Sequence, residues 1–302
     1  MKNKVLFGSI FVAFCSLIFY LTSTARLENA KLKVYGGSDA KVTQTNTNDN
    51  TAATLSPDSL KKTKSSNSSL AKTIIKNVDN ATSPVQVTTQ NIDYNSQFAT
   101  VKNTNEAQDV SAVLKLFVLI AYEKEGKSSQ TFKVNNGDVK ANDQSLQAGT
   151  AYSGAFLKDL MMRQNNNDAA NILLNAMGKE KINAVTKNIG ASHTKITGKF
   201  GEEKVGKTTA ADLGLVLKKL YQGKIKNSNE DNQVLGLLLN FPEKGLAAQV
   251  NGTVYRISDK HASVALVQAN NGKTYVMSSV SGQDSVNFEK LGTAINSWYE
   301  SH

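Results

Sequence analysis

The sequence predicts an α+β domain: an antiparallel sheet of about five strands flanked by helices, with an all-helical region, preceded by a membrane segment and a disordered stalk. Three observations predict it. Period-two hydrophobic stretches occur as a pair around residue 90 and as three more between residues 253 and 278. The chain between the two groups is patterned for helices. Strands at opposite ends of a domain are sheltered only by joining one sheet, with the helices on its faces.

Taken in order, Lys2 and Lys4 precede an apolar run from Val5 to about Thr22, and Arg26 follows. A positive flank before a hydrophobic run addresses the chain to a membrane. The run exceeds the roughly 7–15 residues of a signal core and approaches the roughly 17–25 that span a bilayer. Residues 1–26 are thus expected to be either an uncleaved anchor or a signal cleaved near Ser23-Thr24-Ala25. Both place the remainder outside the cytoplasm, anchored in the cell membrane or at the cell surface. Cys15, the only cysteine, lies within the apolar run behind Phe14. That context does not suit lipidation, and a lone cysteine excludes an intramolecular disulfide.

Residues 27–84 are rich in Ser, Thr, Asn and Lys and poor in aromatics. Such a composition buries too little apolar area to offset its ordering entropy, so a flexible stalk is expected. The net charge of +10 draws the chain towards polyanions. Outside a bacterial cell those are anionic wall polymers or lipid headgroups, not nucleic acid.

Residues 85–302 form the folded body. Val85–Thr89 and Gln97–Val101 read as strands. From Val110 to Tyr122 the chain is apolar on almost every side, the mark of a helix inside a domain, and Lys115 is its only charge. An ammonium in such a helix needs acceptors or a counter-charge. Helices follow at about Gly154–Gln164, Ala169–Met177 with Asp168 as cap, Glu180–Ile189, Ala210–Tyr221 behind the capping pair Thr209 and Asp212, and Asn229–Leu239. Strands then occupy Thr253–Ile257, Ser263–Val267 and Thr274–Ser278. Asn271-Gly272 turns between the last two, and a helix from about Ser285 to Tyr299 closes the chain.

Several segments, in order and spacing, resemble the class A serine β-lactamases and the related penicillin-recognising serine hydrolases. They are Lys115-Leu116-Phe117-Val118, the run Leu160-Met161-Met162 leading to Asn167-x-Ala169-x-Asn171, Thr208-Thr209-Ala210-x-Asp212-Leu213, and the closing strands. The resemblance implies a β-lactamase-like fold and a cleft with three motifs: Ser-x-x-Lys for acylation, Ser-Asp-Asn facing it, and Lys-Thr/Ser-Gly on the inner strand. A loop glutamate activates the deacylating water in class A enzymes.

Each motif departs from that pattern. Lys115 matches the motif lysine, but Ala112 stands where the serine belongs. The second motif falls on Asn165-Asn166-Asn167, where only Asn167 matches. For the third, the candidates are Arg256-Ile257-Ser258 and Lys260-His261-Ala262. In the loop Lys199–Lys204 neither Glu202 nor Glu203 can be assigned the water-activating role.

Loss of three motifs predicts a non-catalytic member. Its degenerate site (Ala112, Lys115, Asn165, Asn167) would bind rather than cleave. Lys115, Asn165, Asn167 and Arg256 are the expected ligand-binding residues, suited to a carboxylate or amide such as a peptidoglycan stem peptide. The alternative is a residual hydrolase using Ser111 with Lys115, side by side at four-residue spacing. No cofactor is expected. His193, His261 and His302 lack metal-ligand spacing, so no metal is expected either.

Overall fold

The computed structural model describes residues 61–302 except 95, 126–129, 140–144, 240 and 283–285. The expected targeting segment and residues 27–60 of the stalk lie outside these. Among the described residues no helix is long and apolar enough to cross a membrane.

The central sheet has six antiparallel strands rather than five: β1 (Lys61–Ser65), β2 (Val85–Asn91), β3 (Phe98–Lys102), β9 (Thr253–Ser258), β10 (Ala262–Gln268) and β11 (Thr274–Ser281). Their order is β1-β3-β2-β11-β10-β9. The early and late strands meet where Ser278 pairs with Thr88, and the hairpin pairs Leu266 with Val276. Gly272 takes φ 83° in the Asn271-Gly272 turn, a conformation that favours glycine. Every residue of β11, and all of β10 but Gln268, is buried, because helices cover both faces.

One face carries α1 (Ser68–Val78) and α8 (Phe288–Ser301). There Leu70, Ile74, Val87, Val254, Met277 and Ile295 share one core. The other face carries α2 (Lys115–Glu125), α3 (Gly154–Arg163), α4 (Asn167–Met177), α5 (Lys179–Asn188), α6 (Ala210–Tyr221) and α7 (Ser228–Leu238). Its core includes Phe117, Leu173, Leu213, Ile257, Val264 and Val276. A small sheet joins β4 (Gln108–Val110), β8 (Gly206–Thr208) and β7 (Lys195–Ile196), and β5 (Thr131–Lys133) pairs with β6 (Ala151–Ser153).

The folded body starts earlier than the expected boundary at residue 85. Leu70, Ala71, Ile74 and Val78 form a buried stripe at helical spacing on α1. Asn67 caps that helix by accepting from the Ser69 and Leu70 amides, and the Trp298 indole donates to Ser69 Oγ at 2.8 Å. Polar Ser, Lys and Asn between the apolar positions gave residues 61–84 a stalk-like composition. The expected Asp168 cap is also corrected: Asn166 Oδ1 accepts from the Ala169 amide at 2.8 Å, while Asp168 is buried in the first turn. Thr209 caps α6 as expected, accepting from the Asp212 amide at 3.1 Å.

Gly292 brings α8 against the 3-10 turn Gly245–Ala247. A Cβ there would sit 1.8 Å from the Leu246 carbonyl oxygen, which is backbone and cannot step aside. Gly292→Ala is therefore expected to destabilise the domain by about 2 kcal/mol, as overpacking does. A chemical-denaturation curve checks it.

Candidate functional site

The buried helix is shorter than the sequence suggests. Val110 ends β4, Ala112–Leu114 is a 3-10 turn, and the α-helical part begins at Lys115. The Asp259 side chain sits at this junction. Its Oδ2 accepts from the amides of Ser111 (2.9 Å) and Val113 (3.2 Å), and its Oδ1 accepts from those of His261 and Ala262, both 2.8 Å. One carboxylate thus fastens the first turn before α2 to the β9–β10 connection.

Lys115 is fully buried, with no surface exposed to solvent. Its Nζ donates to the backbone oxygen and to Oδ1 of Asn165, both at 2.5 Å. Asn165 holds φ 51°, the only positive φ outside glycine among the described residues. A left-handed conformation is uncommon for a non-glycine residue, although asparagine tolerates it. In that conformation both oxygens reach the same ammonium. Asn165 Nδ2 in turn donates to Glu243 Oε1 at 2.9 Å, extending the chain of contacts to an exposed carboxylate. The Phe200 ring lies 5.7 Å from Nζ, and its backbone is clamped by Asn171 in both directions, at 2.9 and 3.0 Å. Of the loop Lys199–Lys204, an apolar ring therefore faces the lysine. Glu202 instead turns back to accept from the Lys199 amide at 2.9 Å.

Burial pushes the Lys115 amine down to about 7, against the opposing pull of the Glu243 and Asp259 charges. The folded chain then binds fewer protons than the unfolded one between pH 7 and the ordinary lysine range, so stability rises with pH across that window. Urea denaturation at pH 7 and pH 10 should show a gain on the order of 3 kcal/mol from this group. Lys115→Met should abolish that part of the gain.

The expected ligand-binding residues do not converge. Lys115 and Asn165 meet directly and leave no gap between them. Asn167 opens α4, and the ammonium is met by Asn165 instead. Arg256 is separated from Lys115 by the sheet. Tyr255 and Ile257 pack with the helical core, whereas Val254 packs with α1 and α8, so strand alternation puts Arg256 on the latter face. Its Nε is buried without a hydrogen-bond partner, and desolvation lowers its pKa. Ser111 flanks the 3-10 turn and makes no side-chain cap bond there. Its amide is held by Asp259. Asp259, Phe200 and Glu243 were not singled out from the sequence. Only Asp259 carried a local signal, since it follows Ser258 in the third-motif region.

Chemically, the arrangement offers a methyl group at Ala112 in place of an attacking oxygen. The amides on either side of Ala112, those of Ser111 and Val113, already bind the Asp259 carboxylate. The lysine is sealed from solvent by the asparagine and the phenyl ring.

A family model described as "Beta-lactamase enzyme family" matches residues 68–297. The chain belongs to the β-lactamase enzyme family. Among solved structures it is similar to PBP-A, with TM-score 0.67 at 16% identity over 78% of this chain and 96% of that one. It is likewise similar to the TLA-3 extended-spectrum β-lactamase, with TM-score 0.66 at 18% identity over 77% and 98%. A third is a β-lactamase from Xanthomonas campestris, with TM-score 0.65 at 14% identity over 78% and 98%. Identities this low speak to the fold alone. No curated protein sequence gives a significant match.

Proposed function

We propose that this chain is a non-catalytic β-lactamase-family protein, displayed outside the cytoplasm by its N-terminal segment and acting by association with the cell wall. One observation carries the reading: Ala112 offers a methyl group three residues before the fully buried Lys115, where an acylating enzyme of this family needs a serine hydroxyl. The extracytoplasmic placement is supported by Lys2, Lys4 and the apolar run that follows them. A stem-peptide pocket built from Lys115, Asn165, Asn167 and Arg256 is not carried forward, because Arg256 lies across the sheet and Lys115 is sealed. An anionic wall polymer remains the proposed partner.

Fluorescent penicillin and a fluorophosphonate probe test this together. Intact mass should be unchanged after incubation, and Ala112→Ser should stay unlabelled, because Lys115 is still tied to Asn165 and covered by Phe200. An adduct on the unaltered chain that disappears in Ser111→Ala would instead establish the hydrolase alternative.

A further inference from the structure

A second feature lies away from Ala112 and Lys115. Two adjoining cavities of about 280 and 270 Å3 run between α6 and the outer face of β2 and β3, sharing Thr88 and Ala211. Lys102 and His193 stand at one end, and Lys218, Lys219 and Lys224 at the other. Neither lining includes an Asp or Glu, although Asp212 behind it lies 3.5 Å from the His193 ring, and neither includes a Phe, Tyr or Trp. The floor between the charged ends is neutral and polar: Thr88 and Thr100 hydroxyls lie 3.0 Å apart, and Gln90 accepts from Lys218 at 3.0 Å.

The cations are held in place. Lys219 donates to the Ile189 carbonyl at 2.7 Å, and Lys218 is tethered through Gln90. Burial, and then the neighbouring charge of Lys224, lowers the Lys218 pKa, and three lysines share this end with no carboxylate among the lining residues. An incoming anion relieves that repulsion. Along α6 the groove runs from Ala211 to Gln222, a span of ~16 Å at the rise of a helix. Two cationic ends separated by neutral hydrogen-bonding groups match a chain of alternating phosphates and uncharged linkers, not a single small anion.

We infer that this groove binds an extended phosphodiester polymer, with Lys102 and Lys224 contacting phosphates at its two ends. The choice of polymer rests on the extracytoplasmic reading above, whereas the groove does not. The polymer meant is one without bases: base stacking distinguishes single-stranded nucleic-acid sites, and this lining has no Phe, Tyr or Trp platform for it, only the His193 ring at one end.

The test titrates the full chain with poly(glycerol phosphate), a phosphodiester with uncharged linkers and no bases, at about 0.15 M salt, where long-range attraction between surface charges is screened. Lys102→Glu combined with Lys224→Glu should weaken binding about tenfold or more. Lys72→Glu combined with Lys290→Glu makes the same change in net charge on exposed lysines of α1 and α8, on the opposite face of the sheet, and should weaken it less than about twofold. Equal losses in the two pairs, or no binding by the unaltered chain, would overturn the inference. Should the groove pair fail to fold, Lys102→Gln with Lys224→Gln gives the same comparison without added negative charge. Single-stranded DNA of matched charge should bind no more tightly than poly(glycerol phosphate); tighter binding lost in the groove pair would reassign the site and also overturn the proposal. Penicillin labelling reports separately on the catalytic question, so failure of one conclusion is not mistaken for failure of the other.

Discussion

A chain that begins at Val85 is expected not to fold, while one that begins at Lys61 melts cooperatively. The shorter chain lacks α1 and β1. It leaves the α8 face of the sheet uncovered, where Leu70 and Ile74 have no exposed surface and Val78 has 2%. Truncating one such side chain to alanine costs about 2–5 kcal/mol. Removing the whole helix therefore exceeds the roughly 5–15 kcal/mol that holds an ordinary domain together. Near-ultraviolet circular dichroism of the two chains decides the matter, and Leu70→Ala gives a milder form of the same loss. If the Val85 chain melted like the longer one, residues 61–84 would be the stalk that their composition suggests.

Asp259→Ala is expected to cost on the order of 4 kcal/mol, the largest effect of any single polar substitution considered. Four backbone amides lose their acceptor at once. Each hydrogen bond to a charged group contributes about 1.5–3 kcal/mol, and the half-buried position of Asp259 keeps the sum below four times that. Lys115 also loses one of its two nearby negative charges. Asp259→Asn keeps one oxygen and should recover only part of the loss, whereas a merely space-filling role would give full recovery with this isosteric side chain. Equilibrium urea unfolding of both variants checks the ranking. A loss below about 1 kcal/mol for the alanine variant would mean that the first turn before α2 is not held as described.

The fold was largely legible because its signals are local. Thr253–Ile257 and Ser263–Val267 alternate as strands do, Asn271-Gly272 dictates a hairpin, and Thr209 with Asp212 marks a helix start. The first element was missed because its apolar stripe is diluted by lysines and serines, so composition outweighed periodicity over residues 61–78. The site was half legible. Lys115 stands out as the only charge of an apolar helix, and the resemblance to the β-lactamase motifs pointed to Ala112 and the asparagine run. Asp259 reaches back 148 residues to the Ser111 amide, and Asn171 clamps Phe200 from 29 residues away, separations that no local pattern encodes. The misplacement of Arg256 is different in kind. A shift of one residue along a strand moves a side chain to the other face of the sheet, and the parity of Val254 and Ile257 already held that answer.

Native-state acetylation, mapped by peptide mass spectrometry, tests the closed site most directly. An amine with its pKa near 7 in an open cleft would be largely neutral at pH 8 and would react ahead of surface lysines. Sealed behind Asn165 and Phe200, Lys115 should stay unmodified while Lys187 and Lys290 are acetylated, and should react only once the chain is unfolded. Modification of Lys115 in the native protein as fast as those surface lysines would contradict the account and restore an accessible cleft.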